Sequence, residues 1–271
     1  MTATPPALAA TTPPKRHAMP FTRIELVVLT VTDGRLAVLL GRRAEAPQKG
    51  LWALPGGVLR IDLDRDLEAA AQRVAVERLH VSLPFLSQLR AAGGPQRDPR
   101  AAWALSIAYR ALLPIESFAP APGKRLEALQ WRPADEAVAD PDLAFDHADL
   151  IRIAVETTRA EIDHLDLPYG FLPDCFTLGE LQACCEAIRG RRLDKSSFRR
   201  RLDERELLEP VPGQMRTGAF RPAQLYRKRQ RRESPHPGTE LDPTGRRGRR
   251  GAPSRDHESA GRRRPRGTSS F

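Results

Sequence analysis

Two apolar runs separated by Asp33-Gly34 constrain this chain more than any other feature. Residues 24–32 (IELVVLTVT) and 36–40 (LAVLL) are β-branched and apolar, and Asp-Gly between such runs is the signal of a tight β-hairpin. Trp52-Ala53-Leu54-Pro55-Gly56-Gly57 then supplies a turn that no helix tolerates. Leu67–Leu79 follows with helical periodicity: Leu67, Ala70, Ala71, Val74, Ala75 and Leu79 recur every three or four residues. Residues 103–113 (WALSIAYRALL) and 126–131 read as strands, and 146–162 as a helix that Asp146 can cap. This alternation predicts an α/β/α sandwich of ordinary domain size.

The pattern changes beyond residue 164. Residues 165–174 (LDLPYGFLPD) hold two prolines and a glycine, which suits a linker or a packed crossover. Thr177 with Glu180 three positions on forms a capping box, Leu181, Cys184, Cys185 and Ile188 make an apolar stripe, and Gly190 ends the helix. Asp194 caps a second helix over 195–207 with Phe198 and Leu202 facing inward, and Leu225-Tyr226 reads as a returning strand. Helix, turn, helix and hairpin outline a winged helix. The expected organisation is a disordered leader (1–20), an α/β domain (21–164), a linker (165–175), a winged helix (176–227) and a disordered Arg-rich tail (228–271).

Charge separates these parts. The chain carries +10 overall, but residues 1–175 hold 20 Lys+Arg against 22 Asp+Glu, whereas 176–227 hold 11 against 7 and 228–271 hold 13 against 5. Only the last two parts have an electrostatic reason to meet nucleic acid. No apolar run approaches the roughly 20 residues of a membrane-spanning helix, and the N-terminus lacks the pattern of a secretory signal. Cys175, Cys184 and Cys185 have neither disulfide-framework nor zinc-site spacing, which fits a reducing cytoplasm.

Residues 24–159 resemble the Nudix family, anchored on LWALPGGVLR. Gly57 corresponds to the opening glycine of that family's box and Arg73 to its arginine, two residues further apart than usual. In the family, box glutamates hold magnesium against substrate phosphates, because hard divalent cations take oxygen ligands, and the metal activates water. Here the four glutamate positions fall on Arg65, Val74, Glu77 and Arg78, and the closing glycine on His80. Such a face repels a divalent cation. No catalytic residue and no metal site are therefore expected, only the residual positions Gly57, Arg73 and Glu77. A shifted alignment would recruit one or two of Asp62, Asp64, Asp66 and Glu68. Magnesium would be needed only for residual hydrolysis, and no other cofactor is implied.

A binding pocket can outlive its catalysis. Arg97-Asp98-Pro99-Arg100 is similar to a segment of Nudix domains that handle ADP-ribose, which implies Arg97 and Arg100 as phosphate ligands. The segment FTLGELQACCEAIRGRRLDKSSFRRRL with GAFRPAQLYR resembles the C-terminal domain of the Nudix-related transcriptional regulators, and about 200 residues match in the right order. That resemblance implies a homodimeric repressor of NAD-metabolism or sugar-utilisation genes, released from its double-stranded DNA operator by ADP-ribose or a related nucleotide. Lys195, Ser196 and Ser197 would enter the major groove with Arg199 and Arg200 beside them, and Arg216 and Arg221 would lie in the wing. Ser196-Ser197 departs from the basic residue and asparagine common there. The competing reading is an active Nudix pyrophosphatase with an unrelated basic appendage.

Overall fold

A computed structural model describes residues 19–217 and 222–229. The expected leader (1–18 of it), the tail beyond 229 and the wing position Arg221 lie outside the described residues. Strands β1 (Phe21–Thr32) and β2 (Arg35–Arg43) pair antiparallel with Thr32 opposite Arg35. Asp33 and Gly34 take φ of 50° and 68°, as a tight hairpin requires. Strands β3 (Trp52–Ala53) and β4 (Gly56–Val58) flank Leu54-Pro55, with both glycines of the expected turn inside β4, and helix α1 (Leu67–Leu79) follows. Next come β5 (Ser87–Pro95), β6 (Trp103–Leu112), β7 (Leu126–Pro133), α2 (Ala134–Val138) and α3 (His147–Asp163). The sheet runs β3-β2-β1-β6-β5, with β4 added to β1 and β7 to β2, and β1 lies parallel to β6.

Period-two alternation sorts the central strands into two cores. Ile24, Leu26 and Val28 face α1 and pack on Ala70, Ala71, Val74 and Leu79. Val27 and Leu29 face the other way, onto Leu150, Ile151, Ala154 and Val155 of α3. Asp66 caps α1 through a 2.7 Å bond from the Ala69 amide. Asp146 occupies the corresponding position on α3 but makes no side-chain cap; its carboxylate is drawn instead to Arg97 at 2.6 Å. An ionic partner outcompeted the helix amides there.

The C-terminal part has β8 (Phe176–Thr177), α4 (Leu178–Arg189), α5 (Lys195–Glu204), β9 (Leu208–Arg216) and β10 (Ala223–Lys228), with a three-stranded sheet in the order β8-β10-β9. The Thr177–Glu180 capping box is present, Gly190 ends α4 at φ 68°, and the Ser197 amide donates to the Asp194 carboxylate at 2.8 Å. Helix α5 stops three residues before the apolar pattern suggests, because Glu206 turns to φ 48°.

The second core does not end at the α/β domain. Phe176, Leu181, Cys185, Ile188, Phe198 and Leu202 belong to the same buried cluster as Leu29, Val38 and Leu150. Residues 165–175 run through it, burying Leu165, Leu167 and Phe171. Polar ties reinforce the junction: Arg189 pairs with Asp163 at 2.5 Å, and Arg159 donates to the Ile188 carbonyl at 2.9 Å. Among the described residues no helix is long and apolar enough to cross a membrane.

Candidate effector cleft and nucleic-acid interface

The remains of the box explain their own spacing. Asp64, inside the lengthened loop, grips Arg73 through two bonds of 2.6 and 2.7 Å, and the same guanidinium donates to the Val58 carbonyl at 3.0 Å. Glu77 faces three cations, Arg73 at 3.3 Å, Arg60 at 3.7 Å and Lys124 at 4.0 Å. Of the carboxylates that a shifted alignment would recruit, Asp64 is spent on Arg73 and Asp66 on the helix cap. The glycine pair is required by close approach. A Cβ on Gly56 would lie 1.8 Å from Glu25 Oε2, and one on Gly57 would lie 2.8 Å from Val74 Cγ2.

Arg78 dominates the face where the family has a metal-binding glutamate. It is buried, with Nε donating to the Gly56 carbonyl and Nη1 to the Lys124 carbonyl, both at 2.7 Å. Hydrolytic Nudix domains hold magnesium on this face; the residues here do not fit it, since a fixed guanidinium and one encircled glutamate replace the oxygen donors. No reaction step through a metal follows.

What the face does offer is a narrow cationic cleft lined by Arg23, Arg43, Arg78, Arg100 and Arg125, with Glu45 also in its wall. Burial, and after it Arg125, pushes the Arg78 guanidinium down from its ordinary pKa. Burial, then Arg23 and Arg100, does the same to Arg43. Arginine stays protonated under such pressure, so the cleft keeps its charge and seeks an anion.

The expected phosphate ligands divide here. Arg100 lines the cleft, paired with Asp98 at 2.5 Å and stacked over Phe21 at 5.0 Å. Arg97 does not line it. Its terminal nitrogens go to the Ala92 carbonyl and to Asp146, tying β5 to the start of α3.

At the other end of α3, two arginines of the winged helix dock on its last carbonyls: Arg201 on Asp163 at 3.0 Å and Arg205 on His164 at 3.4 Å. This seats α5 with Phe198 and Leu202 buried and Lys195, Ser196, Arg199 and Arg200 exposed on the opposite face. Ser197 is half-buried, its amide spent on the Asp194 cap. Arg200 carries an i,i+4 pair with Glu204 at 3.6 Å; Lys195 and Arg199 have no ion-pair partner among the described residues. Arg216, at the end of β9, pairs with Glu180 at 3.1 Å.

Comparison with known proteins matches both halves. Residues 22–152 match the NUDIX domain and 168–228 the NrtR DNA-binding winged helix domain. The ADPR responsive transcriptional repressor NtrR of Acinetobacter baylyi is 36% identical over 211 residues, covering 78% of this chain and 83% of that protein. This chain belongs to the Nudix-related transcriptional regulators. Shewanella oneidensis NrtR, crystallised with a 27mer DNA, is 33% identical with a TM-score of 0.66 over 77% of this chain and 93% of that one. A MutT/nudix family protein from Enterococcus faecalis, 21% identical, shares the fold with a TM-score of 0.67 over 80% of this chain and 90% of that one.

Within this regulator, the residues that sequence reading missed are Arg23, Glu25, Arg43, Arg78 as a cleft residue, Arg125 and His147. Arg23 and Glu25 were detectable in principle: charges two apart in an apolar strand share one face and need a partner there. Glu25 is fully buried, 2.7 Å from Arg23, and His147, whose Nδ1 accepts from the Leu54 amide at 2.9 Å, brings Nε2 to 3.8 Å. Burial pushes the Glu25 carboxyl up, but Arg23 and His147 outweigh it and hold the pKa at about 2. A depressed folded-state pKa stabilises the fold above the unfolded value and loses that contribution as pH falls through the folded one. The window therefore runs from about pH 4.5 down to about 2. Urea midpoints of the parent chain are expected to fall steeply across it. Glu25→Gln, weaker at neutral pH because Arg23 is left buried and unpaired, should show a shallower fall; parallel curves for the two proteins would refute this assignment.

Proposed function

We propose that this chain is a DNA-binding transcriptional repressor whose degenerate Nudix domain senses ADP-ribose or a related nucleotide and then releases the operator. The observation that carries the reading is the joining, through one buried core, of an arginine-lined cleft beside a box that keeps only Glu77 of its four glutamate positions to a winged helix that exposes Lys195, Ser196, Arg199 and Arg200. The Acinetobacter relative, by its name, responds to ADPR and represses transcription, and the Shewanella neighbour was crystallised on DNA. A winged helix reads about one half-site, so the chain acts as a homodimer in the cytoplasm, with the Nudix domains supplying the main contact. The regulated genes belong to NAD metabolism or sugar utilisation.

Helix α3 offers the mechanical route. Its 17 residues span about 25 Å, from the end where Asp146 holds Arg97, three residues before the cleft-lining Arg100, to Asp163 beneath Arg201 of α5. A ligand that favours a dimer geometry with misplaced recognition helices weakens DNA binding, and DNA weakens ligand binding by the same factor. Titrating DNA from the protein's own gene neighbourhood against the full chain tests this. ADP-ribose is expected to weaken binding by roughly 5- to 150-fold, the range of typical coupling energies. Unchanged curves with every nucleotide tried, or robust magnesium-dependent cleavage of ADP-ribose, would overturn the reading.

A further inference from the structure

A second cavity, of about 430 Å³, lies where the crossover joins the two halves, and it shares no lining residue with the arginine cleft. That volume falls in the range of small-molecule sites. The α/β domain contributes Phe85, Arg110 and Leu112, the crossover Tyr169, and the winged helix Phe176 and Lys228. The crossover cannot sink further to fill the space, because Gly170 is already pressed on β6: a Cβ there would lie 2.7 Å from the Leu112 carbonyl oxygen. Three groups in this wall are left wanting. Phe85 is 80% exposed, an apolar surface that water solvates poorly. Arg110 is buried and spends its terminal nitrogens on Glu161 at 2.6 and 2.8 Å and on Thr158 at 2.9 Å, but its Nε has no acceptor among the described residues. Lys228 holds Nζ 4.9 Å from the centre of the Tyr169 ring and has no ion-pair partner among the described residues. Burial pushes the Tyr169 hydroxyl up to about 12, so it offers Lys228 no counter-charge.

We propose that this junction cavity binds a small aromatic molecule carrying one carboxylate. Phe85, Tyr169 and Phe176 supply the aromatic surface that a ring packs on, edge-on or offset. Lys228 supplies the charge for the carboxylate. Arg110, whose own charge Glu161 cancels, adds a buried donor that costs stability while unpaired and so favours a ligand with acceptor oxygens. Asp174, also in the wall, is exposed and lies beyond ion-pair distance of Lys228; it disfavours a second negative charge on the ligand. The chain after Arg229 does not suit the site, because residues 228–271 carry 13 Lys+Arg against 5 Asp+Glu, the same sign as Lys228. A ligand held here touches both halves at once, and it is a different molecule from the nucleotide proposed for the cleft.

Isothermal titration of the full chain with 2-naphthoate and with its neutral analogue 2-naphthalenemethanol, each with and without excess ADP-ribose, tests the proposal. Both probes are expected to bind once per chain, the acid more tightly, and ADP-ribose should not compete with either. Phe85 and Lys228 are both exposed, so their replacement leaves the core intact. Phe85→Ala should weaken both probes by about 10-fold, the loss for withdrawing one aromatic partner. Lys228→Gln should weaken the acid by roughly 3- to 5-fold, the worth of a partly screened ion pair, and leave the alcohol unchanged. Absence of saturable binding by the acid, competitive displacement by ADP-ribose, or variants that bind the acid like the parent would overturn the site. Sedimentation of parent and Phe85→Ala should give the same mass. A variant of lower mass would overturn the proposal as well, because a second copy of the chain would then be what covers Phe85.

Discussion

Ile188→Ala is expected to lower the stability of the whole described chain, not only of its winged helix. Ile188 is fully buried in α4, yet it shares one cluster with Leu29 and Val38 of the α/β sheet. Truncating a buried isoleucine costs about 2–5 kcal/mol, a large share of the roughly 5–15 kcal/mol that holds a typical domain folded. The three tryptophans, Trp52, Trp103 and Trp131, all lie in or beside the α/β sheet and none in the winged helix. Tryptophan fluorescence therefore reports the half that does not contain the substitution. The denaturant midpoint followed by fluorescence should fall together with that followed by loss of DNA binding. If the fluorescence midpoint stays with the parent while DNA binding is lost, the shared cluster does not couple the two halves.

The second large effect concerns DNA. Arg199→Ala combined with Arg200→Ala removes two exposed guanidinium groups from the outer face of α5 and leaves Phe198 and Leu202 in place. Interactions of this kind are worth about 1–3 kcal/mol each, so operator affinity should fall by at least roughly 30-fold if the two add. Every guanidinium withdrawn from a phosphate should also reduce the steepness of the salt dependence by about 0.9. Arg201→Ala provides the contrast. One nitrogen of its guanidinium donates to the Asp163 carbonyl, which assigns it to positioning α5 and not to a phosphate. That variant should weaken operator binding while leaving the salt slope unchanged. Equal salt slopes for the parent and both variants would remove Arg199 and Arg200 from the DNA interface.

Elements with local signals were legible in the sequence. The Asp33-Gly34 hairpin, the capping box at Thr177, Gly190 at the end of α4 and the Asp194 cap are set by residues within four positions of one another, and the structure carries each of them. Strand β5 was not legible. SQLRAAGGP has no apolar alternation and two glycines, and it is a strand only because β6 lends it a hydrogen-bonding edge from Trp103 to Arg110. The cleft was illegible for a different reason. Its arginines come from β1, β2, α1, the loop before β6 and the approach to β7, so spacing along the chain says nothing of their convergence. Arg78 was readable as a missing metal ligand, but its hold on the Gly56 and Lys124 carbonyls was not. The Arg97 assignment came from a short tetrapeptide, which could not show that Asp146, 49 residues on, would claim the guanidinium.

The seating of α5 determines how this regulator can change its target. Inward positions are committed: Phe198 and Leu202 to the common core, Arg201 to the end of α3. Lys195, Ser196, Arg199 and Arg200 face outward and carry none of that packing. On the DNA contact proposed for these four positions, point changes there would alter operator preference without touching the buried side of α5. Exchange of the entire winged helix with that of a distant relative is a poorer route, because the graft would arrive without the surface of α3 and the sheet that its own buried face was shaped to meet.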